Sequence, residues 1–333
     1  MSKPVKIAID AMGGDYAPLE IVKGAILAVK DHNNIKIVLV GDQDSINVEL
    51  EKYSYNHDSI SILHAEEIID NHESPVMAIR RKKNSSIVKA FNLVKSGDAD
   101  AFISAGSTGA ILAGGQLIIG RIKGVERPPL APLIPTINGV SLLIDCGANV
   151  DARPSHLLQF AKMGSIYMEN ILGIDKPRVA IVNIGAEEEK GNQLVKETFP
   201  LLKELKDINF IGSIEARDIP YGKADVIVSE AFVGNVILKL YEGLGTALIG
   251  KIKEGLMSTT KSKIGAILIK PALKETLKDF DSSNNGGAPM LGLKNLVVKT
   301  HGNSTSNEIY NAIIQCENFV KQNITEKIMN NIS

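Results

Sequence analysis

The stretch of residues 100–115 constrains the fold more than any other part of the chain. Residues 100–104 form a short apolar run after an Asp, as in a buried strand, and residues 110–115 are rich in Ala, Ile and Leu, as at the start of a packed helix. Between them, residues 106–109 are two glycines around a Ser and a Thr. Such a turn directs backbone N–H groups and the positive end of a helix dipole toward one point, where an anion can bind. A tight turn without a ligand is equally consistent with these residues, because glycine turns are common.

Strand and helix patterns alternate along most of the chain. Short apolar runs predict strands at residues 6–10, 35–40, 60–64, 140–145, 178–184, 208–212, 226–229 and 295–299. Helical patterns lie between them, and the longest cover residues 18–30, 77–95, 156–173 and 307–327. This alternation predicts an α/β fold with a largely parallel sheet and crossover helices.

A proline-rich segment interrupts the alternation at residues 127–135. Its four prolines exclude both a helix and a central strand. We therefore expect a rigid extended connector. It is the candidate hinge or lobe boundary within an otherwise single domain over residues 1–333.

Composition narrows the class of protein. The formal net charge of −1, the 5% aromatic content and the absence of Trp argue against a nucleic-acid partner. Cys146 and Cys316 lie in no metal-binding spacing, so we expect no metal, no cofactor and a reducing cytoplasm. The N-terminus lacks the apolar core of a signal peptide, and no uninterrupted apolar run reaches ~18 residues. We therefore expect a protein that is soluble or lies on a membrane surface.

A second candidate ligand loop follows the first predicted strand. That strand ends at Asp10, and the next residues include Gly13, Gly14 and Asp15. Glycines between carboxylates at a strand end suit a ligand loop. The alternative is a plain turn in which Asp15 caps the following helix.

Three further side chains are candidates for chemistry. Lys190 follows a strand and precedes a helix, where a phosphate would meet both positive charges. Asn235 is predicted at a helix cap, so its amide either caps the helix or donates to a developing oxyanion. His301 at a strand end is an acid, a base, a phosphate ligand or a structural histidine. Cys146 is a weaker candidate nucleophile, because no His lies near it in sequence.

Two basic segments could mediate association. Residues 80–83 are Arg-Arg-Lys-Lys on a predicted helix, which is either a solvated face or a docking patch for an acidic or phosphate-bearing carrier. Residues 237–280 predict a pair of amphipathic helices, and seven Lys but only two Glu lie between Lys251 and Lys278. The pair could pack on the body, form a dimer surface, lie on an anionic membrane or hold an acyl chain.

Seven segments form one pattern along nearly the whole chain, at residues 8–15, 104–110, 145–149, 157–160, 190–192, 232–235 and 286–289. Taken together, they resemble the PlsX family of bacterial acyl-carrier-protein:phosphate acyltransferases, and the resemblance is collinear. Two departures are Ser107, where the family commonly has Asn, and Glu230-Ala231, where it commonly has Asp-Gly.

The resemblance implies a three-layer α/β/α fold like that of phosphotransacetylases and isocitrate-type dehydrogenases. It also implies a homodimer that transfers an acyl group from acyl-carrier protein to inorganic phosphate and supplies a membrane glycerol-3-phosphate acyltransferase. Lys190 would hold phosphate, and Asn235 would orient it or donate to the oxyanion. The predicted substrate-binding set is Asp10, Gly13, Gly14, Asp15, Gly106, Ser107, Thr108, Gly109, Asn149 and His301.

Other functions remain open from the sequence alone. A phosphate acyltransferase that uses coenzyme A is one alternative within enzymes. A nicotinamide-dependent dehydrogenase is disfavoured, because no GxGxxG motif follows a strand and no Asp cluster suits a metal. A non-catalytic membrane adaptor that works through residues 237–280 is the alternative outside enzymes. For either membrane-associated function we expect a cytoplasmic protein bound peripherally to the membrane.

Overall fold

The computed structural model describes residues 3–278 and 285–332. Its strands are β1 Val5–Asp10, β2 Ile35–Gly41, β3 Ile60–His64, β4 Ala101–Ser104, β5 Leu133–Thr136, β6 Gly139–Ile144, β7 Arg178–Val182, β8 Asn209–Ile214, β9 Val226–Val228, β10 Ala288–Pro289 and β11 Leu296–Lys299. Its helices are α1 Leu19–Asp31, α2 Gln43–Leu50, α3 Pro75–Arg81, α4 Ser86–Ser96, α5 Thr108–Gly114, α6 Pro154–Ile171, α7 Gln193–Glu204, α8 Ala231–Met257, α9 Thr260–Lys278, α10 Ser306–Lys321 and α11 Ile324–Ile332.

The strands form two sheets in which most neighbours are parallel. The first has the order β10-β11-β4-β1-β2-β3, and the second has the order β5-β6-β9-β7-β8. Only the pairs β10–β11 and β5–β6 are antiparallel among the described strands. Parallel strands place their carboxyl ends on the same edge, so the loops after β1, β4 and β11 meet there.

The proline-rich connector joins the two sheets. The Ala131 N–H donates to the Pro289 carbonyl at 3.0 Å, and the Leu291 N–H donates to the Pro129 carbonyl at 3.1 Å. The connector then enters β5, which lies at the edge of its sheet. Pro135 has no backbone N–H to donate, and an edge strand tolerates a proline for that reason. Its function as a hinge stays a prediction.

Apolar clusters cover both faces of the sheets. Ile7 of β1 and Leu142 of β6 share one cluster that runs across both sheets beneath helices α1, α6 and α10. On the opposite face, Ala8 packs with α4 and α5, and Leu143 packs with α8. Strands buried on both faces read as continuous apolar runs, which is why the sequence showed them clearly. The predicted three-layer, largely parallel α/β/α fold is confirmed.

Two predicted helices are each divided into two. The pattern over residues 77–95 forms α3 and α4, because Ser85 adopts an extended conformation and its Oγ accepts from the Val88 N–H to cap α4. The pattern over residues 307–327 forms α10 and α11, with Asn323 at φ 51° between them. Both breaks occur at short polar side chains. The prediction missed them because it rested on the spacing of apolar residues alone.

The predicted amphipathic pair is present as α8 and α9, with a joint at residues 258–259; residues 279–280 of that prediction lie outside the described residues. By length and mean hydropathy (1.3), α8 is the one described helix that could cross a membrane, and its most apolar stretch is 6% buried. The prediction that no uninterrupted apolar run reaches ~18 residues holds for α8, because Lys239 and Glu242 interrupt it, and the helix reaches this length only by its average hydropathy. Length and composition alone assign no membrane span.

Gly234 allows the first turn of α8 to pack against the loop after β6. A Cβ at this position would lie 1.9 Å from the Asp145 carbonyl oxygen, whereas a Cβ at Gly243 of the same helix meets nothing within 4 Å. Gly234→Ala is therefore expected to lower the free energy of unfolding by about 1–3 kcal/mol through overpacking. Gly243→Ala is expected to raise it by about 1 kcal/mol through helix propensity. Urea denaturation of both variants checks these opposite signs, and equal changes would contradict the packing argument.

Candidate active site

A cavity of about 690 Å³ lies between the connector, α8, α9 and the loop after β11. Its polar lining residues include Thr108, Asn235, Lys239, Glu242, Lys299 and His301, and the part around Lys239, Glu242, Lys299 and His301, which lie near one another, is called the polar end. Its apolar lining residues include Leu133, Ile134, Leu238, Leu248, Ile249 and Leu277; Leu248 and Ile249 lie farthest along α8 from Asn235, and that part is called the apolar end. A concave site with an apolar body and a few convergent polar groups is typical of a ligand site.

The loops after β1 and β4 meet beside the polar end. Asp10 is buried, its Oδ2 accepts from Ser104 Oγ at 2.6 Å, and Ser104 Oγ in turn accepts from the Gly106 N–H at 2.9 Å. A Cβ on Gly13 would lie 2.4 Å from Asp10 Oδ2 and 2.6 Å from the Gly106 nitrogen. Burial raises the pKa of Asp10, and the hydrogen bonds from Ser104 oppose that rise. The structure thus brings Asp10, Gly13 and Gly106 into direct contact. The two loops can approach this closely because Gly13 has no Cβ.

The loop after β11 completes this edge. The Asp15 N–H donates to the Gly302 carbonyl at 2.6 Å, and Asp15 is exposed. Gly14 has φ +99°, and a Cβ there would lie 2.8 Å from the same carbonyl oxygen. The expectation that Asp15 caps α1 is wrong, because Pro18 occupies the N-cap position.

The turn at residues 106–109 lies between β4 and α5, as predicted, and its residues have different structural roles. Ser107 is buried, and its Oγ accepts from the Ala110 N–H as the N-cap. Thr108 is exposed and lines the cavity. A Cβ on Gly109 would lie 2.5 Å from Pro75 Cγ, so Gly109 allows α3 to pack on α5. Only Thr108 of these three residues lines the cavity.

Asn149 does not line the cavity, although its carbonyl accepts from the Ala231 N–H at 3.2 Å at the start of α8. Its Nδ2 donates to Asp145 Oδ2 at 2.7 Å and to the Pro128 carbonyl at 3.0 Å. Asp145 is fully buried and also accepts from the Leu130 N–H at 2.9 Å, so this network fixes the connector. Burial raises the pKa of Asp145 to about 6. Both N–H groups of the Asn149 amide have protein partners, and its contact with substrate stays a prediction.

Lys190 is on an exposed loop after β7 and does not line the cavity. Its Nζ lies 2.8 Å from Glu187 Oε1, and this ion pair raises the pKa of Lys190. The loop is anchored by Asn183, whose Nδ2 donates to the Lys190 carbonyl at 3.1 Å. The structure therefore does not bring Lys190 together with Asn235, and its contact with phosphate stays a prediction.

Asn235 lines the cavity from within α8 rather than from its cap. The helix begins at Ala231, and Glu230 caps it by accepting from the Phe232 and Val233 N–H groups at 2.6 and 2.9 Å. The prediction of Asn235 as a cap was wrong, because the acidic side chain five residues earlier, Glu230, takes that position. Asn235 is exposed and is therefore available to a ligand.

Glu242 lies between Lys239 and His301 at the polar end, and its Oε1 accepts no hydrogen bond from the described residues. Its Oε2 lies 2.8 Å from Lys239 Nζ, and its Oε1 lies 3.5 Å from His301 Nε2. His301 lines the cavity and is 42% exposed. The sequence reasoning found His301 but missed Lys239 and Glu242, although their spacing from Asn235 at four and seven residues places all three on one helix face.

Lys299 is the cation that the sequence reasoning missed most clearly. It ends β11 and lines the cavity, and its Nζ donates to the carbonyl oxygens of Thr300 and Ala105. Burial and the nearby charge of Lys239 lower the pKa of Lys299 to about 8, and Asp10 and Asp15 oppose that shift. A Lys at the carboxyl end of an otherwise apolar strand was the signal that could have revealed it.

Cys146 is not placed as a nucleophile. It is buried, and its Sγ donates to the Leu143 carbonyl at 3.5 Å. Burial, followed by the charge of Asp145, raises the pKa of the thiol well above its usual range. In the described ranges no group of three or more His, Cys, Asp or Glu side chains is placed to hold a metal.

Solved structures identify the class of fold. A phosphotransacetylase from Streptococcus pyogenes aligns over 96% of this chain and 95% of its own, with a TM-score of 0.63 and 19% identity. The EutD phosphotransacetylase from Staphylococcus aureus aligns over 95% and 94%, with a TM-score of 0.59 and 17% identity. These similarities establish the fold alone, which is that of an α/β phosphotransacylase.

Sequence comparison identifies the family. The family profile described as "Fatty acid synthesis protein" matches residues 5–327. The phosphate acyltransferase of Clostridium novyi is 52% identical over 328 residues, which cover 98% of each chain. That of Clostridium acetobutylicum is 51% identical over 322 residues, which cover 97% of each chain. The chain belongs to the PlsX family of phosphate acyltransferases, and the prediction that it is an acyltransferase is confirmed.

Proposed function

We propose that the protein transfers a fatty acyl group reversibly from acyl-carrier protein to inorganic phosphate, and that the acyl phosphate feeds phosphatidic acid synthesis. One observation carries the proposal. The cavity is lined both by the cations Lys239 and Lys299 and by apolar side chains that extend along α8 to Ile249. An acyl thioester and a phosphate together require these two environments. The family relationship supports the acceptor, and the donor rests on the resemblance stated from the loops.

The polarity of the cavity follows α8. Its cavity-lining face begins with Asn235, Lys239 and Glu242 and continues with Gly245 and Ile249. At 1.5 Å per residue this face is about 21 Å long. A thioester carbonyl held beside Asn235 would direct its acyl chain toward Ile249, where apolar burial stabilises it.

The chemistry needs positioning and electrostatic stabilisation more than acid–base groups. A phosphate oxygen attacks the thioester carbonyl, the C–O bond forms and the C–S bond breaks, and the thiolate of the carrier departs and takes a proton from water. Charge develops on the carbonyl oxygen during the attack. We assign Asn235 as the donor to that oxygen, while the loops of Gly13, Gly14 and residues 106–109 hold the phosphate nearby.

We retain Lys190 as a second contact to phosphate, with a specific requirement. Its ammonium is held by Glu187, so a phosphate that binds Lys190 must displace that carboxylate. Lys190→Ala is expected to raise the KM for phosphate about tenfold through loss of a charged hydrogen bond. Glu187→Gln is expected to lower the KM for phosphate about twofold, because Lys190 no longer has a carboxylate partner that phosphate must displace. Phosphate titrations at saturating acyl donor measure both, and Lys203→Ala in the neighbouring ion pair with Glu188 is the control. Full turnover with an unchanged KM in folded Lys190→Ala would rule out the contact.

The proposed partners have candidate surfaces. The basic run 80–83 begins in the last turn of α3, and α3 packs on α5 through Pro75 and Gly109, next to the cavity residue Thr108. An acidic carrier protein docked there would place its thioester at the cavity. The exposed apolar side chains of α8 and α9 suit a homodimer contact and a peripheral membrane contact in a cytoplasmic protein. A membrane glycerol-3-phosphate acyltransferase would then receive the product.

The assay mixes purified protein, acyl-acyl-carrier protein and inorganic phosphate. Thiol release that depends on phosphate, together with a hydroxamate after trapping with hydroxylamine, supports the proposal. Activity with acyl-coenzyme A but none with acyl-carrier protein supports the coenzyme-A-dependent alternative. If folded protein gives no release with either donor, acyl transfer is refuted and the membrane-adaptor alternative is favoured.

A further inference from the structure

We infer that Lys299 is the principal cation that holds inorganic phosphate at the polar end of the cavity, with Thr300 Oγ1 as a second donor. This inference rests on the proposed function, because it names the residues that bind the acceptor. It adds a cavity cation to the predicted Lys190, which lies on the exposed loop.

Lys299 has a charge without a counter-charge in contact. Two of its three ammonium N–H groups are directed at carbonyl oxygens, those of Thr300 and Ala105. In the described part of the chain no carboxylate lies within ion-pair distance of its Nζ. A partly buried ammonium without a carboxylate partner is costly, and a bound anion would offset that cost.

The other Lys at this end is already paired. Lys239 Nζ lies 2.8 Å from Glu242 Oε2, which neutralises part of the charge of Lys239. Lys239 nevertheless lies near enough to Lys299 to lower its pKa, so the two ammonium groups repel each other. A phosphate dianion between them would relieve that repulsion, which a neutral ligand would not do.

Thr300 gives an independent sign of a ligand. Its side chain is 3% exposed and lines the same cavity, and its Oγ1 has no hydrogen-bond partner among the described residues. Buried hydroxyl groups are normally satisfied. The backbone of Thr300 is fixed, because its N–H donates to the Ser104 carbonyl at 3.0 Å. An oxygen-rich ligand held by Lys299 would supply the missing partner.

The kinetic test compares Lys299→Met, Lys299→Arg and the control Lys294→Met, which removes an exposed Lys five residues earlier. Lys299→Met is expected to raise the KM for phosphate about 10- to 100-fold. Its KM for acyl-acyl-carrier protein should change by less than about twofold, because Lys299 lies away from the apolar end. Lys299→Arg should recover part of the loss. An unchanged KM for phosphate in folded Lys299→Met would overturn the inference.

A binding measurement on the unaltered protein does not depend on turnover or on the folding of a variant. Limited acetylation with acetic anhydride at pH 8 labels neutral amines, and a lowered pKa makes Lys299 reactive there. Mass spectrometry should show that saturating phosphate lowers labelling of Lys299 at least severalfold and leaves Lys294 unchanged. Equal labelling with and without phosphate would overturn the inference. Protection of Lys299 without acyl transfer would support the phosphate site and refute the proposed function.

Discussion

Asn235→Ala is expected to lower kcat for acyl transfer about 10²- to 10³-fold, with less change in the KM for phosphate. A preorganised donor to the carbonyl oxygen acts mainly in the transition state, and loss of one such donor has an effect of this size. Asn235 is free for this task because Glu230, and not Asn235, caps α8. Single-turnover formation of the hydroxamate, with acyl-acyl-carrier protein and phosphate both saturating, measures the change.

The matched control is Val236→Ala, in the same helix turn. Val236 is 51% exposed and does not line the cavity, so its truncation should leave kcat within about twofold. Thermal unfolding of both variants separates loss of chemistry from loss of fold. If folded Asn235→Ala retained full turnover, the assignment of Asn235 to the oxyanion would be wrong, and the exposed Thr108 hydroxyl would become the candidate donor.

The central strands β1, β4, β6, β7, β9 and β11 were predictable because burial on both faces makes them apolar, whereas β5 lies within the predicted connector and was not predicted. Ile7 and Ala8 face opposite layers, yet both are buried, so the pattern of β1 is visible without structural knowledge. The turns at Gly13 and Gly106 were predictable for a related reason. Their backbones approach each other too closely for a Cβ, and the sequence preserves that requirement as glycine.

The polar contacts were less predictable because they join distant parts of the chain. Asn149 was expected at the ligand, but its amide serves the buried carboxylate of Asp145 and the connector. Lys299 was overlooked because one Lys at the end of an apolar strand has no local partner to mark it. Only the fold shows that it shares a cavity with α8, which is about sixty residues earlier in the chain.

The predicted start of α8 was also wrong. Apolar periodicity placed the start of α8 at Val236, whereas Glu230 caps it six residues earlier. The acidic side chain at position 230 was noted as a departure from the family, and the structure gives it the capping role that an Asp would fill. The extra turn moves Asn235 from the end of the helix to its cavity face.

Gly245→Phe is expected to make the enzyme selective for short acyl chains. Gly245 lies on the cavity face of α8, and a Cβ there meets nothing within 4 Å, so the ring would enter the apolar end of the cavity. Each buried methylene contributes about 0.8 kcal/mol, so excluding three or four lowers kcat/KM for long-chain donors about 100-fold. Short-chain donors, whose carbons remain near Asn235, should keep their rate within a fewfold. A series of acyl-acyl-carrier proteins of increasing chain length measures the change.

Gly243→Phe is the matched control for this experiment. Gly243 also has open space around its Cβ, but it does not line the cavity, because two helix residues apart point to nearly opposite sides. Both variants replace Gly with Phe in the middle of α8, so effects on helix propensity cancel in the comparison. A chain-length shift in Gly245→Phe alone would place the acyl chain along α8. If both variants retained the chain-length profile of the unaltered protein, the acyl chain would not occupy this cavity, and the argument from its polarity would fail.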